Sequence, residues 1–195
     1  MFPQLEKLVR RVMEYPAKLL VALRITPNIL TFIGFLLSAV AAYYLFIGER
    51  VTGAIWILVS GVFDMFDGAV ARVSGGGSTF GAFWDSTVDR YTEFLIFLGL
   101  LGWLMKHYGT PNFRPDVLMT VVAMVGSQLV SYTRARAEGL GLQCKVGWFA
   151  RPERVIILVL GLFFNQLFWT LAFLAVVTHV TAFQRIFHVY RITRK

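Results

Sequence analysis

The sequence predicts an all-α, polytopic integral membrane protein: six transmembrane helices preceded by an amphipathic helix lying on the membrane surface. Three observations predict it. The 195 residues are 57% hydrophobic with a mean hydropathy of +0.65, and only 15% are charged, against roughly 25% in a soluble globular protein. Apolar runs recur along the whole chain: Ile29–Ile47, Val51–Phe63, Phe94–Met105, Val117–Val130, Val155–Phe164 and Leu167–Phe183. Basic residues flank these runs, as they do at the ends of membrane spans.

The first element is MFPQLEKLVRRVMEYPAKLL. Its charges are interleaved with apolar residues, and no apolar core with a small-residue cleavage site follows, so it does not read as a signal peptide. It reads as an interfacial helix over residues 1–24, with Lys7, Arg10, Arg11 and Lys18 at the headgroups. Spanning helices are expected at 28–48, 51–73, 81–108, 115–138, 147–165 and 167–190. Residues 28–190 then form a six-helix bundle, and 1–195 a single domain. The fifth helix has the shortest apolar run, and Asn165-Gln166 fits either a turn or the interior of one long helix. Charge decides between them. Basic residues concentrate before the first span, after the fourth (Arg134, Arg136, Lys145, Arg151, Arg154) and at the C-terminus (Arg191, Arg194, Lys195). Six spans put all three clusters on one side, which the positive-inside rule makes the cytoplasm. A cell-membrane protein with both termini and the active site facing the cytoplasm is expected.

The formal net charge is +8. Beside apolar runs, this charge points to anionic headgroups and phosphorylated substrates rather than nucleic acid. The single cysteine, Cys144, excludes an intrachain disulfide.

One stretch carries the chemistry: FDMFDGAVARVSGGGSTFGAFWDSTVDR, Phe63–Arg90, with four aspartates. At 100° per residue, Asp64, Asp67, Gly68 and Ala71 share one helix face, and Gly81, Asp85 and Asp89 share another. SGGGS, Ser74–Ser78, turns the chain between the two helices; it is no P-loop, because no Gly-Lys-Ser/Thr follows. Four carboxylates in a low-dielectric pocket repel one another unless cations join them. Oxygen ligands suit Mg²⁺ or Mn²⁺, and two such ions sharing carboxylates form a clamp for displacement at phosphorus. Gly68, Ala71 and Gly81 leave room for a ligand, and Arg72 can pair with a phosphate or the carboxylates. A lone intramembrane aspartate is often only a helix–helix hydrogen-bond partner. Intramembrane carboxylates also mark ion paths, so a cation-coupled transporter is the rival reading from another class.

The stretch spells D-x2-D-G-x2-A-R-x8-G-x3-D-x3-D through Asp64, Asp67-Gly68, Ala71-Arg72, Gly81, Asp85 and Asp89. Every element and spacing resembles the signature of the CDP-alcohol phosphotransferase (CDP-alcohol phosphatidyltransferase) family. TPNILT, Thr26–Thr31, is similar to the segment opening that family's first span. The resemblance implies six spans, an interfacial helix and a homodimer. It implies two divalent ions, Mg²⁺ or Mn²⁺, with Asp64, Asp67 and Asp85 as ligands. Asp89 would be the general base, also touching the second metal. Gly68, Ala71, Arg72 and Gly81 would line the cytidine nucleotide site, with Asn28 and Thr31 nearby. CDP-diacylglycerol would be the donor, a membrane lipid, and CMP the leaving group.

A second segment bears on the acceptor: SYTRARAEGLGLQCKVGWFARPERVIILVLG, Ser131–Gly161. Its arginines can converge above the metal site to meet an acceptor phosphate, or simply decorate the cytoplasmic side. S-Y-x-R-A-R-A-E-x-x-G followed by R-P-E-R resembles the branch making phosphatidylinositol phosphate in actinobacteria and the related archaeal inositol-lipid branch. By that resemblance Arg134 and Arg154, with Arg191 or Arg194, bind the phosphate of L-myo-inositol 1-phosphate. Arg134 stands where bacterial members often carry Lys, and the two are not equivalent toward phosphate. Phosphatidylglycerophosphate synthases, which use glycerol 3-phosphate, share the aspartate motif and remain the alternative. His107, His179 and His188 have no ligand-spaced partners and read as packing or interface residues.

Overall fold

The computed structural model describes residues 3–107 and 114–194. Among them are seven helices and no strand: α1 (Pro3–Ala22), α2 (Pro27–Phe46), α3 (Arg50–Val73), α4 (Thr79–His107), α5 (Pro115–Gly139), α6 (Arg151–Phe163) and α7 (Leu167–Thr193). Four of these, α2, α3, α5 and α7, are long and apolar enough to cross a membrane. The side chains of Lys7, Arg10 and Arg11, and most of the connection between the third and fourth expected spans, lie outside the described residues.

Local chemistry sets the boundaries. Pro27 opens α2 after an extended Thr26, since proline's missing N–H costs nothing in a first turn. Pro115 does the same for α5 after an extended Arg114. Gly75 and Gly76 take φ of +95° and +109°, the left-handed conformation that glycine adopts without strain. They reverse the chain between α3 and α4. The first turn of α4 is then capped by Ser78, whose Oγ accepts the Gly81 N–H at 2.9 Å.

The fifth expected span is shorter than the sequence suggests. It was expected at 147–165, but α6 starts only at Arg151, after Gly147 at φ +115° and an extended Ala150. Its second residue is Pro152, which a first helical turn tolerates. The question at Asn165-Gln166 resolves as a turn: Asn165 has φ +56° and its side-chain oxygen accepts a hydrogen bond from Arg50. The Arg50 guanidinium also stacks 4.8 Å from the Trp103 ring centroid. This ties the α6–α7 turn to the starts of α3 and the end of α4.

Helix α2 packs on α3 and α4, α5 on α7, α1 on α3, and α6 on α3 and α7. Small residues permit the close crossings. A Cβ on Gly99 would collide with the Ala42 backbone, and one on Gly126 or Gly161 with Thr178 or Thr170. Such contacts supply the dispersion energy that holds helices together where lipid cancels the hydrophobic drive. The main core gathers Leu45, Leu100, Leu162, Leu171 and Leu174, each no more than 1% exposed. Phe32, Leu36, Ile55, Leu160 and Val176 point outward from the same helices, as lipid-facing residues do.

Candidate active site

The turn at Gly75-Gly76 reverses the chain, so that carboxylates from the last three turns of α3 meet those from the first turns of α4. One carboxylate oxygen from each of Asp64, Asp67 and Asp85 lies within 4.8 Å of the others. Asp67 is buried, and its Oδ2 lies 2.7 Å from the Thr31 hydroxyl of α2. That bond orients the carboxylate and leaves its other oxygen for a ligand. Three hard oxygen donors this close fit a divalent cation such as Mg²⁺ or Mn²⁺.

Asp89 lies one turn along α4 from Asp85. Its partner is Arg151, the first residue of α6, absent from the sequence-based set. Arg151 Nη1 donates to Asp89 Oδ1 at 2.5 Å and to Asp64 Oδ1 and Oδ2 at 3.1 and 3.0 Å. One guanidinium thus bridges carboxylates of α3 and α4 and offsets their mutual repulsion. Arg90 adds a looser contact, 3.6 Å from Asp89 Oδ2.

The expected nucleotide-site residues flank this cluster. A Cβ on Gly81 would lie 3.2 Å from Asn28 Oδ1, so Asn28 of α2 hangs over the start of α4. A Cβ on Gly68 would lie 3.4 Å from Arg72 Nη1, so the Arg72 side chain folds back across that glycine. Ala71 faces the Gly75–Gly77 turn. Of these, Thr31 touches the cluster directly, through Asp67, and Gly68 and Gly81 lie next to or one turn from its aspartates.

The basic residues divide. Arg134 Nε donates to Glu138 Oε1 at 2.8 Å, half exposed. Arg154 lines the same cavity as Asp64. It lies one turn past Arg151 on α6 and meets Glu93, one turn past Asp89 on α4, at 2.9 Å. Two parallel pairs, Asp89–Arg151 and Glu93–Arg154, thus form a ladder between α4 and α6. Arg185 of α7, absent from the sequence-based set, is 4% exposed and is tied to α5 one turn before Arg134 and to the α5–α6 loop that also takes Arg154 at the Phe149 carbonyl. It donates to the carbonyls of Val146, at 3.0 Å, and Val130. Arg191 and Arg194 are not brought to this group. Arg194 is nine residues past Arg185, on the opposite helix face. It stacks on Tyr190, and Arg191 stacks on Phe187.

Signals for the missed residues were present. Arg151 is the first arginine of the same R-P-E-R run as Arg154. Arg185 lies inside the long apolar helix α7, and an ionisable residue inside a span points to function. Beside Asp64 and Arg151 opens a cavity of about 430 Å³, lined by Thr92, Glu93 and Arg154 and by apolar residues including Ile57 and Phe97.

The family model for CDP-alcohol phosphatidyltransferase matches residues 24–183. The chain is 42% identical over 148 residues to the phosphatidylinositol phosphate synthase of Mycobacterium tuberculosis, covering 74% of this chain and 66% of that protein. It thus spans just under two thirds of that relative's length. It is 35% identical over 189 residues to the archaetidylinositol phosphate synthase of Pyrococcus horikoshii, covering 96% and 95% of the two chains. Among solved structures, it resembles the M. tuberculosis phosphatidylinositol phosphate synthase with CDP-DAG bound, at a TM-score of 0.85 and 35% identity over 92% of this chain and 94% of that one. The same enzyme in complex with manganese and citrate gives a TM-score of 0.83 and 36% identity, covering 91% and 88%. With the family model matched across most of its length and the aspartate faces converging as the motif requires, this chain belongs to the CDP-alcohol phosphatidyltransferase family.

Proposed function

We propose that the protein transfers the phosphatidyl group of CDP-diacylglycerol to L-myo-inositol 1-phosphate, giving phosphatidylinositol phosphate and CMP. The observation carrying a phosphorylated acceptor is the buried Glu93–Arg154 pair, set beside the Asp89–Arg151 pair of the aspartate cluster, with Arg134 and Arg185 as further candidate phosphate ligands. The names of the similar proteins support the same acceptor class, and the CDP-DAG-bound structure supports the donor.

Asp64, Asp67 and Asp85 would hold the divalent ions, with Asp89 shared to the second. Ions bound there neutralise the pyrophosphate and the departing phosphate. Asn28, Thr31, Gly68, Ala71, Arg72 and Gly81 hold the cytidine diphosphate part, the two glycines letting it approach the backbone. The cavity beside Asp64 and Arg151 receives apolar portions of the donor. The arginines fix the acceptor phosphate through charge-assisted hydrogen bonds. Asp89 takes the proton from the acceptor hydroxyl. That oxygen bonds to the phosphorus attached to diacylglycerol, and the bond from this phosphorus to the CMP oxygen breaks.

In this reading α2 to α7 are six spans, with both termini and the site at the cytoplasmic face. The short α6 spans together with the polar segments at its ends. Helix α1 lies on the membrane surface: Ala17 and Leu20 face the bundle, whereas Val12, Tyr15, Leu19 and Leu23 form an exposed apolar stripe for the lipid. A homodimer is carried over from the family resemblance.

The test is metal-dependent CMP release by the purified protein with CDP-diacylglycerol. Inositol 1-phosphate, glycerol 3-phosphate and free inositol are supplied separately. Release is expected with inositol 1-phosphate; release with glycerol 3-phosphate alone would reassign the acceptor.

A further inference from the structure

Glu93 stands outside the aspartate motif, yet it is the most thoroughly committed carboxylate of the site. It is 8% exposed and Arg154 is 3% exposed. Arg154 Nε donates to Glu93 Oε1 at 3.0 Å, and Nη2 donates to Oε1 at 2.9 Å and Oε2 at 3.1 Å. Nη1 reaches the Phe149 carbonyl at 3.3 Å. A buried pair of this kind gains little net stability over apolar packing, so stability alone does not account for it.

We infer that Glu93 is a positioning residue for the phosphorylated acceptor: it fixes the Arg154 guanidinium plane so that its remaining N–H groups meet the acceptor phosphate at a set distance from Asp89. A free arginine side chain samples many rotamers, and the two-oxygen grip removes that freedom before the acceptor arrives. Asp89 and Glu93 sit four residues apart on one helix, a rise of about 6 Å. The candidate base and the anchor of the phosphate-binding arginine therefore share one rigid element. The spacing between them becomes a ruler for the distance between the reacting hydroxyl and the phosphate of the acceptor. This rests on the reading of Arg154 as a ligand of that phosphate.

The test compares full-length Glu93→Gln, Glu93→Asp, Arg154→Lys and the Glu93→Gln/Arg154→Lys double variant, measuring KM for inositol 1-phosphate and for CDP-diacylglycerol. Glu93→Gln is expected to raise the acceptor KM about tenfold, the loss of a charged hydrogen bond, with the CDP-diacylglycerol KM unchanged. Glu93→Asp should recover only part of the loss, leaving the acceptor KM about threefold or more above wild type, because the shorter carboxylate keeps the charge but shifts the arginine. The double variant should be no worse than Arg154→Lys alone, because Glu93 acts through Arg154. An acceptor KM that is unchanged or lowered by Glu93→Gln overturns the inference, the latter because Glu93 would then be competing with the phosphate. Equal rises in both KM values, or additive losses in the double variant, also overturn it. If the amide variant does not purify folded, Glu93→Asp decides: an acceptor KM raised about threefold or more supports the ruler, and an unchanged one sinks it. Arg154→Lys separates the two claims. No effect on the acceptor KM there removes the arginine pocket itself, whereas an effect there with none at Glu93 removes only the positioning role.

Discussion

The Nη1 atom of Arg151 lies 2.5 Å from Oδ1 of Asp89, the candidate general base. The same nitrogen bridges to Asp64, a carboxylate of the candidate metal cluster. Arg151→Ala removes a cation from among the carboxylates, so divalent ions meet less competing positive charge. Turnover is expected to fall about 100-fold as Asp89 loses its orienting partner, while the Mn²⁺ concentration for half-activation stays level or drops. A Mn²⁺ titration of CMP release checks both, and a marked rise in half-activating Mn²⁺ would contradict this account of Arg151.

Asp89→Asn keeps the shape of the side chain but cannot accept the hydroxyl proton. Donor binding should persist while turnover falls by at least about 100-fold, the lower end of what a positioned base contributes. Equilibrium binding of CDP-diacylglycerol alongside single-turnover kinetics separates the two. Undiminished turnover would remove Asp89 from the role of base.

Arg185 and Arg194 occupy opposite faces of α7. Arg185→Ala should raise the acceptor KM about tenfold or more, since it removes charge-assisted hydrogen bonds to the phosphate. Arg194→Ala, exposed and stacked on Tyr190, should leave it within about twofold. The reverse ranking would restore the C-terminal arginine expected from sequence and displace Arg185.

Gly99→Ala tests the packing independently of the chemistry. The new methyl meets the Ala42 backbone, which has no rotamer to yield with. Overpacking of this sort costs about 1–3 kcal/mol. A lowered apparent Tm in detergent is expected, and an unchanged Tm would show that α2 and α4 have room to separate.

The aspartate cluster was legible because each half of it lies on one helix face, and helical periodicity needs no knowledge of the partner helix. The glycine turn made the two helices neighbours, so their convergence followed. Arg151, Arg185 and Glu93 were not legible in the same way. Each acquires its significance from a residue at least 39 positions distant, as with Arg185 and the Val146 carbonyl, and no local pattern encodes that pairing. Arg191 and Arg194 attracted attention as the basic end of an apolar run, a signal that reports topology rather than a pocket. The start of α6 falls later than composition suggests because Gly147 and an extended Ala150 interrupt a stretch that reads as continuous. The break at Asn165 rests on a left-handed asparagine, a conformation that asparagine tolerates but does not announce.

The central claim is an acceptor claim, and its most direct test is a competition. Purified protein is given CDP-diacylglycerol, Mn²⁺, and equal amounts of L-myo-inositol 1-phosphate and glycerol 3-phosphate, and the lipid product is identified by mass. The similarity to phosphatidylinositol and archaetidylinositol phosphate synthases predicts phosphatidylinositol phosphate as the dominant product. Phosphatidylglycerophosphate as the dominant product would contradict that claim while leaving the aspartate chemistry in place.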